Sequence, residues 1–374
     1  MRYTLLLTAS ISAAMAFSAC NGGDAKQSTD GMVIIDVENP IIKECPPLEQ
    51  LIDTMYLLPL QNDTVYVKQI ESSIKAGGRI IVADVPFTCN EPVKIFDDNG
   101  NFVNELHKGQ GPGEIDQYLD MFFDEKRQNL VIYHSQFWSI FNRDGNFVEK
   151  INMPFKYANC LRIGDEYVFY TRDNQVNEGI QSKLFVTDTN FNVLQKFFPF
   201  EPTGGIALIQ PHEISFADNH IWIMRDTIYY YQDSKLTPAI YFKYSKRIDY
   251  SMLKGDMMNL DTHDGYFPDG YVENSGTAIY KTVNFYQKEG KKVIYSKKSG
   301  NYLVFTSTKN NPEPFFVSTT EVLDDCFTLI IDEYTYDKYH EAITPFLSDH
   351  DKEILDSYDP DNNPIIVMFK FKDF

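Results

Sequence analysis

The sequence predicts an all-β fold, a single six-bladed β-propeller whose ring is closed by its own N-terminal strand. Three observations lead there. A hairpin motif recurs along the chain at a spacing of about 45 residues, the length of a propeller blade. Aromatic residues make up 14%, with 28 Phe and 24 Tyr, a composition suited to pleated, half-buried surfaces. Each end of the chain carries a strand pattern that has no partner next to it in sequence.

Residues 1–19 read as a signal peptide outside the fold. Arg2 precedes an apolar run from Leu5 to Phe17. The run has the length of a signal-peptide core and falls short of the ~20 residues a spanning helix needs. Phe17-Ser18-Ala19-Cys20 resembles a bacterial lipobox, in which the cysteine becomes the acylated N-terminus. Two or more acyl chains make a stable membrane anchor. Residues 20–47 are expected to be the lipidated cysteine and a flexible tether, because Asn21–Gly31 is small and polar and buries no core. This places the protein at the cell envelope, anchored in the outer membrane and facing either the periplasm or the surface. The remaining residues, 48–374, form the propeller, which hangs free of the membrane on its tether.

The hairpins follow in order. Val93-Lys94-Ile95-Phe96 runs into Asp97-Asp98-Asn99-Gly100 and on into Asn101-Phe102-Val103. Trp138-Ser139-Ile140-Phe141 meets Asn142-Arg143-Asp144-Gly145, then Asn146-Phe147-Val148. Asn-Gly and Asp-Gly accept the positive φ that tight hairpin turns need. Further copies lie at 183–194, 228–242 and 293–305, the last displaced by an insertion within 246–270. Each of the first four is preceded by another strand pattern, at 79–84, 129–133, 167–170 and 220–224. One helical pattern stands out, at 338–357, and reads as a decoration of the last blade. The sixth blade is split. Asn363–Phe371 is a strand with nothing after it, and Leu51–Leu60 is a strand with no hairpin before it. Pairing the two closes the ring and removes two exposed edges.

Cys20, Tyr56–Leu60, Ile95–Phe102, Gly109-Gln110-Gly111-Pro112-Gly113-Glu114 and Asn363–Val367 together resemble the six-bladed β-propeller lipoproteins of Bacteroidota, which are related to NHL-repeat proteins. The resemblance covers residues 48–374. It implies a fold and an address, and adds little chemistry, since most members have no established activity.

The Gly109–Glu114 run lacks the Lys-Ser/Thr of a phosphate loop and precedes no helical pattern. It reads as the crossing between blades one and two, with Glu114 free to cap backbone N–H groups or to face a ligand. Propellers bind at the channel bounded by their inner strands, which makes Gln117, Tyr118, Arg162, His212, Glu213 and Asn274 channel candidates beside Glu114. Cys45, Cys89, Cys160 and Cys326 show no CxxC spacing, so buried free thiols or disulfides are open to them and a zinc site is not expected. No cofactor is expected. Calcium is the one candidate ion, at Asp359–Asn363, which lacks the Gly and terminal Glu of an EF-hand and reads as a turn. A net charge of −19 makes nucleic acid a poor partner.

These features favour a noncatalytic binding lipoprotein, its membrane contact made through Cys20 and its ligand a glycan, a peptide or a protein. The alternatives are a metal-dependent hydrolase or lyase of the lactonase or amidating-lyase propeller type, argued from fold alone, and a structural subunit of an envelope complex. The anchor has a direct check: mass spectrometry of the mature N-terminus should find an acylated Cys20. Cys20→Ser should move the protein from the membrane to the soluble fraction, and an unmodified Cys20 excludes the anchor.

Overall fold

A computed structural model describes residues 26–27, 31–39, 46–61, 65–83, 91–111, 113–172, 175, 177–200, 213–223, 226–244, 265–267, 272–286, 290–306 and 322–373. Ahead of the ring come β1 (Lys26–Gln27), β2 (Val33–Asp36), the one-turn helix α1 (Leu48–Leu51) and β3 (Ile52–Pro59). Blade one is β4 (Ser72–Ala76), β5 (Arg79–Ala83), β6 (Val93–Asp97) and β7 (Phe102–Leu106). Blade two is β8 (Asp120–Asp124), β9 (Asn129–Tyr133), β10 (Phe137–Asn142) and β11 (Phe147–Asn152). Blade three is β12 (Asn159–Ile163), β13 (Glu166–Tyr170), β14 (Ser182–Asp188) and β15 (Val193–Pro199). Blade four is β16 (Ile214–Ala217), β17 (His220–Ile223), β18 (Thr227–Gln232) and β19 (Lys235–Lys243). In blade five, β20 (Gly265–Phe267) precedes β21 (Val272–Asn274), β22 (Ala278–Tyr286), β23 (Lys291–Ser296) and β24 (Tyr302–Thr306). Blade six has β25 (Val322–Leu323), β26 (Cys326–Ile331) and β27 (Ile365–Phe371), with α2 (Tyr336–Ile343) and α3 (Asp349–Asp356) between the last two.

The six sheets form a six-bladed β-propeller. Inner strands of neighbouring blades approach one another around the axis: β4 with β8, β8 with β12, β12 with β16, β16 with β21, and β25 with β4. Apolar faces fill the seams. Ile81 and Ile95 of blade one pack with Leu130 and Ile132 of blade two, and Trp138 of blade two with Phe169 of blade three. Burial falls off outward, as it must where the outer strand meets water. Every residue of β26 is buried, whereas β11 and β15 are mostly exposed.

Ring closure is as the sequence predicts. β3 pairs antiparallel with β27, Leu57 opposite Val367 and Leu58 opposite Ile366, and becomes the outermost strand of blade six. All five hairpins form, with a physical detail that the turn motif conceals. In the β6–β7 turn of blade one only Gly100 takes a positive φ, +80°, and the ladder slips by one residue between Ile95 and Phe96. The turn is therefore a glycine-bulged one. Asp97 organises it: its Oδ1 accepts from the N–H groups of Asn99 and Asn101, both at 2.9 Å, and its Oδ2 accepts from Asn101 Nδ2. Asn142 and Asp188 cap the next two turns in the same way. The recurrent Asp/Asn and Asn of the motif are thus a capping pair. In blade three the glycine place is held by Phe191 at φ +64°, whose ring packs on Trp138 across the seam.

Two expectations need correction. The helix expected over 338–357 is broken in two, because Pro345 turns Thr344–Phe346 into a short 3-10 segment and Ser348 caps α3, accepting from Asp351 N at 3.1 Å. The flexible tether expected over 20–47 does not extend to residue 47. β2 pairs parallel with β19, on the outer edge of blade four, and Ile35 and Val37 are fully buried there among Trp222, Ile240 and Phe242. Four consecutive apolar-rich residues, Val33–Asp36, find a partner some 200 positions away, which local pattern cannot reveal. Much of the insertion expected within 246–270 lies outside the described residues; β20 pairs with the far end of β22.

Ile35→Ala should cost about 2–5 kcal/mol, the range for emptying a buried aliphatic site. Val148→Ala, half exposed on β11, should stay within about 0.5 kcal/mol. Urea unfolding measures both, and an Ile35 variant of parental stability contradicts the docking of β2.

Candidate functional site

The inner strands carry polar residues that the surrounding apolar sheets do not require. Near their starts, Asp120, Asn159 and Glu213 are all buried, in blades two, three and four. Asn159 Nδ2 donates to Asp120 Oδ1 at 3.0 Å, and Cys160 N donates to Asp120 Oδ2 at 2.8 Å. Asn159 Oδ1 in turn accepts from Glu213 N at 3.2 Å. Arg172, just after β13, donates through Nε to both carboxylate oxygens of Glu213, at 3.0 and 2.8 Å. A charge buried this deeply persists only when paired and hydrogen-bonded.

Every seam of the ring carries a polar link, buried at some seams and part-exposed at others. Arg79 donates to Asp144 between blades one and two, at 2.6 and 3.0 Å. Between blades two and three, Arg162 pairs with Asp124, which also accepts from Arg127 N at 3.0 Å and from the Tyr167 hydroxyl at 3.3 Å. Between blades three and four stand the Arg172–Glu213 pair and the bonds from Tyr231 and Ser234 to Glu166. Lys297 Nζ bridges blades four and five, donating to Ala217 O at 3.0 Å and to Ser275 O. Burial pushes the Lys297 ammonium down to about 8, with Asp218 and Asp325 pulling in the other direction. Asp325 accepts from Gly276 N between blades five and six, and Lys75 pairs with Asp324 at 3.0 Å between blades six and one.

Three of the seven channel candidates belong to this seam system. Arg162 and Glu213 are charged members of it, and Asn274 Nδ2 donates to His220 O at 2.7 Å. Tyr118 is buried with the apolar core between blades one and two. Glu114 caps its own loop: Oε2 accepts from Gly111 N at 2.7 Å, and a Cβ at Gly109 would fall 2.1 Å from that oxygen. The glycine run is thus a crossing shaped around Glu114, further pinned by Gly109 N donating to Ile115 O. Gln117 is exposed, and its carbonyl accepts from His134 Nδ1 at 3.0 Å. Cys20, Cys45, Cys89 and His212 lie outside the described residues. Cys160 and Cys326 are buried free thiols, raised in pKa chiefly by burial. At the turn before β27, Asp359 Oδ1 accepts from Asp361 N, and Asn363 donates to the carbonyls of Gln61 and Val65 while accepting from Val67 N. Among the described residues no three His, Cys, Asp or Glu side chains cluster at metal-binding distance.

A concave site lies elsewhere. A cleft of about 620 Å³ opens between blades two and three, lined by Ser135, Gln136, Phe137, Lys150, Asn152 and Lys156 together with the turn at 153–155. Its volume falls within the range of small-molecule sites. Lys150 and Asn152 come from the outer strand β11, and Asn177 holds the far wall by bonding both the N–H and the carbonyl of Lys156. Phe137 is stacked on His134 at 4.7 Å and has Lys150 Nζ 3.5 Å from its ring centre. A carbonyl only accepts, so the bond to Gln117 O puts the His134 proton on Nδ1; Nε2 is buried without a partner. Burial is the main cause holding the His134 pKa below its ordinary value, so the ring stays neutral. Sequence reading missed this cleft because it looked to the channel. The available signal was two lysines flanking Met153-Pro154 in a chain with 53 acidic and 34 basic residues.

Arg162→Met should cost about 3–5 kcal/mol, because it strands the buried Asp124 carboxylate. Adding Asp124→Asn should recover much of that loss, and a double-mutant cycle in urea measures the coupling. Equal losses in the single and double variants exclude the charge pair as the cause.

No curated protein matches this sequence. Among solved structures, a Bacteroides fragilis protein described as exported aligns at a TM-score of 0.70 with 17% identity, over 91% of this chain and 99% of its own. At that identity the likeness shows the fold. BamB of Moraxella catarrhalis aligns at a TM-score of 0.35 with 12% identity, over 67% of this chain and 66% of its own, too weakly to bear on function. A model of a domain of unknown function, DUF4934, matches residues 32–370, from the residue before β2 to within β27. The chain therefore belongs to the DUF4934 family.

Proposed function

We propose that this protein is an envelope lipoprotein of the NHL-like propeller type, acylated at Cys20, that binds a hydrophilic ligand without converting it, in the cleft between blades two and three. The cleft carries the reading. It is concave and polar, walled by strand ends and turns of blade two and by the loop at Asn177 and Glu178 of blade three. The two blades are latched by Arg162 and Asp124. The side chains of Ser135, Gln136, Asn152 and Lys156 line it and make no hydrogen bond among the described residues, which leaves them available to a ligand. Asp120, Asp124, Asn159, Arg162 and Glu213 at the inner strands, by contrast, are engaged in holding blades together. The leader sequence and lipobox support the envelope address, as does the exported character attributed to the B. fragilis protein of the same fold.

The reading is tested with the full lipidated protein in detergent micelles, probed on arrays of oligosaccharides and peptides. A class of hydrophilic ligands should be retained, and Asn152→Trp, which fills the cleft from an exposed position, should abolish retention without lowering the melting temperature. Retention unchanged by Asn152→Trp, or retention of no ligand from either array, overturns the proposal.

A further inference from the structure

Resting on that reading, we infer that the cleft selects a carboxylate-bearing saccharide, an oligosaccharide of the uronic acid class. Its charge balance is the first reason. The chain carries a net charge of −19, and many of its lysines stand beside acids: Lys75 by Asp324, Lys126 by Asp165, Lys243 by Asp36, Lys298 by Asp373 and Lys370 by Asp325. Lys150 and Lys156 line one cleft, and among the described residues neither has a carboxylate within 4.0 Å. A local excess of positive charge on an acidic protein is a site for an anion.

The second reason is how Lys150 is held. Its ammonium rests 3.5 Å from the centre of the Phe137 ring, a contact that positions the charge and leaves it unneutralised. A ligand carboxylate offers the stronger charge-assisted hydrogen bond. The neighbouring His134 is neutral and spends its proton on Gln117 O, so it neither competes for the anion nor adds charge. The only acid among the lining residues is Glu178, which makes no ion pair. It disfavours a second carboxylate nearby and can accept from a hydroxyl.

The third reason separates saccharides from acidic peptides. The groups without protein partners, Ser135, Gln136 and Asn152, both donate and accept, as do sugar hydroxyls. Exposed Pro154 adds an apolar edge for a ring face, backed by Met153 and Phe155, which pack on the core between the blades.

The test is calorimetry on the full lipidated protein in micelles, with trimers of galacturonate and of glucuronate, their methyl esters, and tri-glutamate as probes. The esters keep the rings and remove the charge. At least one acid trimer should bind, its ester at least about tenfold more weakly. Lys150→Gln and Lys156→Gln should each weaken the acid by about tenfold, leave the ester unchanged and flatten the salt dependence, while Glu178→Gln should strengthen the acid. Equal binding of acid and ester, both abolished by Asn152→Trp, overturns the charge inference and leaves the cleft as the site. Preference for tri-glutamate overturns the saccharide assignment. Failure of both acid trimers overturns the inference, and the array result then decides separately whether the cleft binds anything.

Discussion

The structure depends on one pairing, that of β3 with β27. A propeller with an open ring would expose the edge of β27, a strand whose residues are almost all buried, together with the core of its last blade. β3 covers that edge over its whole length and brings the two chain ends into one sheet. Asn363 reinforces the closure from the side, tying the turn before β27 to the backbone of Gln61, Val65 and Val67 after β3. Because the closing strand lies near the N-terminus, the ring is complete only when the last blade has formed.

Closure sets the outline, and the seams then hold the blades at fixed angles. Apolar faces supply the adhesion between sheets but fit in more than one register, since hydrophobic attraction is not directional. The buried links are directional. Asp124–Arg162, Arg172–Glu213 and the Asp120–Asn159 bond each tie a named pair of side chains across a seam. Replacing buried ion pairs by apolar groups is often neutral for stability, so their value here is the specification of blade geometry. That geometry shapes the cleft between blades two and three, whose walls come from the outer strand of one blade and the loops of the next.

The sequence was legible wherever the chemistry is local. Asp97-Asp98-Asn99-Gly100-Asn101 contains its own turn, because the carboxylate that caps it and the glycine that bends it lie within five residues. The strand patterns that begin at 79 and 129 announce central strands, buried over Ile80–Ala83 and Leu130–Tyr133 because sheet flanks them on both sides. The helical pattern was legible as helix but not as two, since Pro345 sits between segments that share one apolar face. β2 was hidden, as its few apolar residues resemble a tether until β19 is set beside them. The candidate site was legible only in part. Arg162, Glu213 and Asn274 do lie at the inner strands, but each bonds to the preceding blade.

The sequence by itself determined the blade count, the closing strand and the hairpin turns. Turn capping and strand alternation act between neighbours in the chain, and an unpartnered strand at each end leaves one economical solution. Only the tertiary structure decided where the polar groups spend their hydrogen bonds. Asp120 reaches a residue 39 positions on, and Asn363 one 296 positions back. Composition shows that such groups exist; only the folded ring shows which are consumed in its seams and which, like Lys150 and Lys156, face open space.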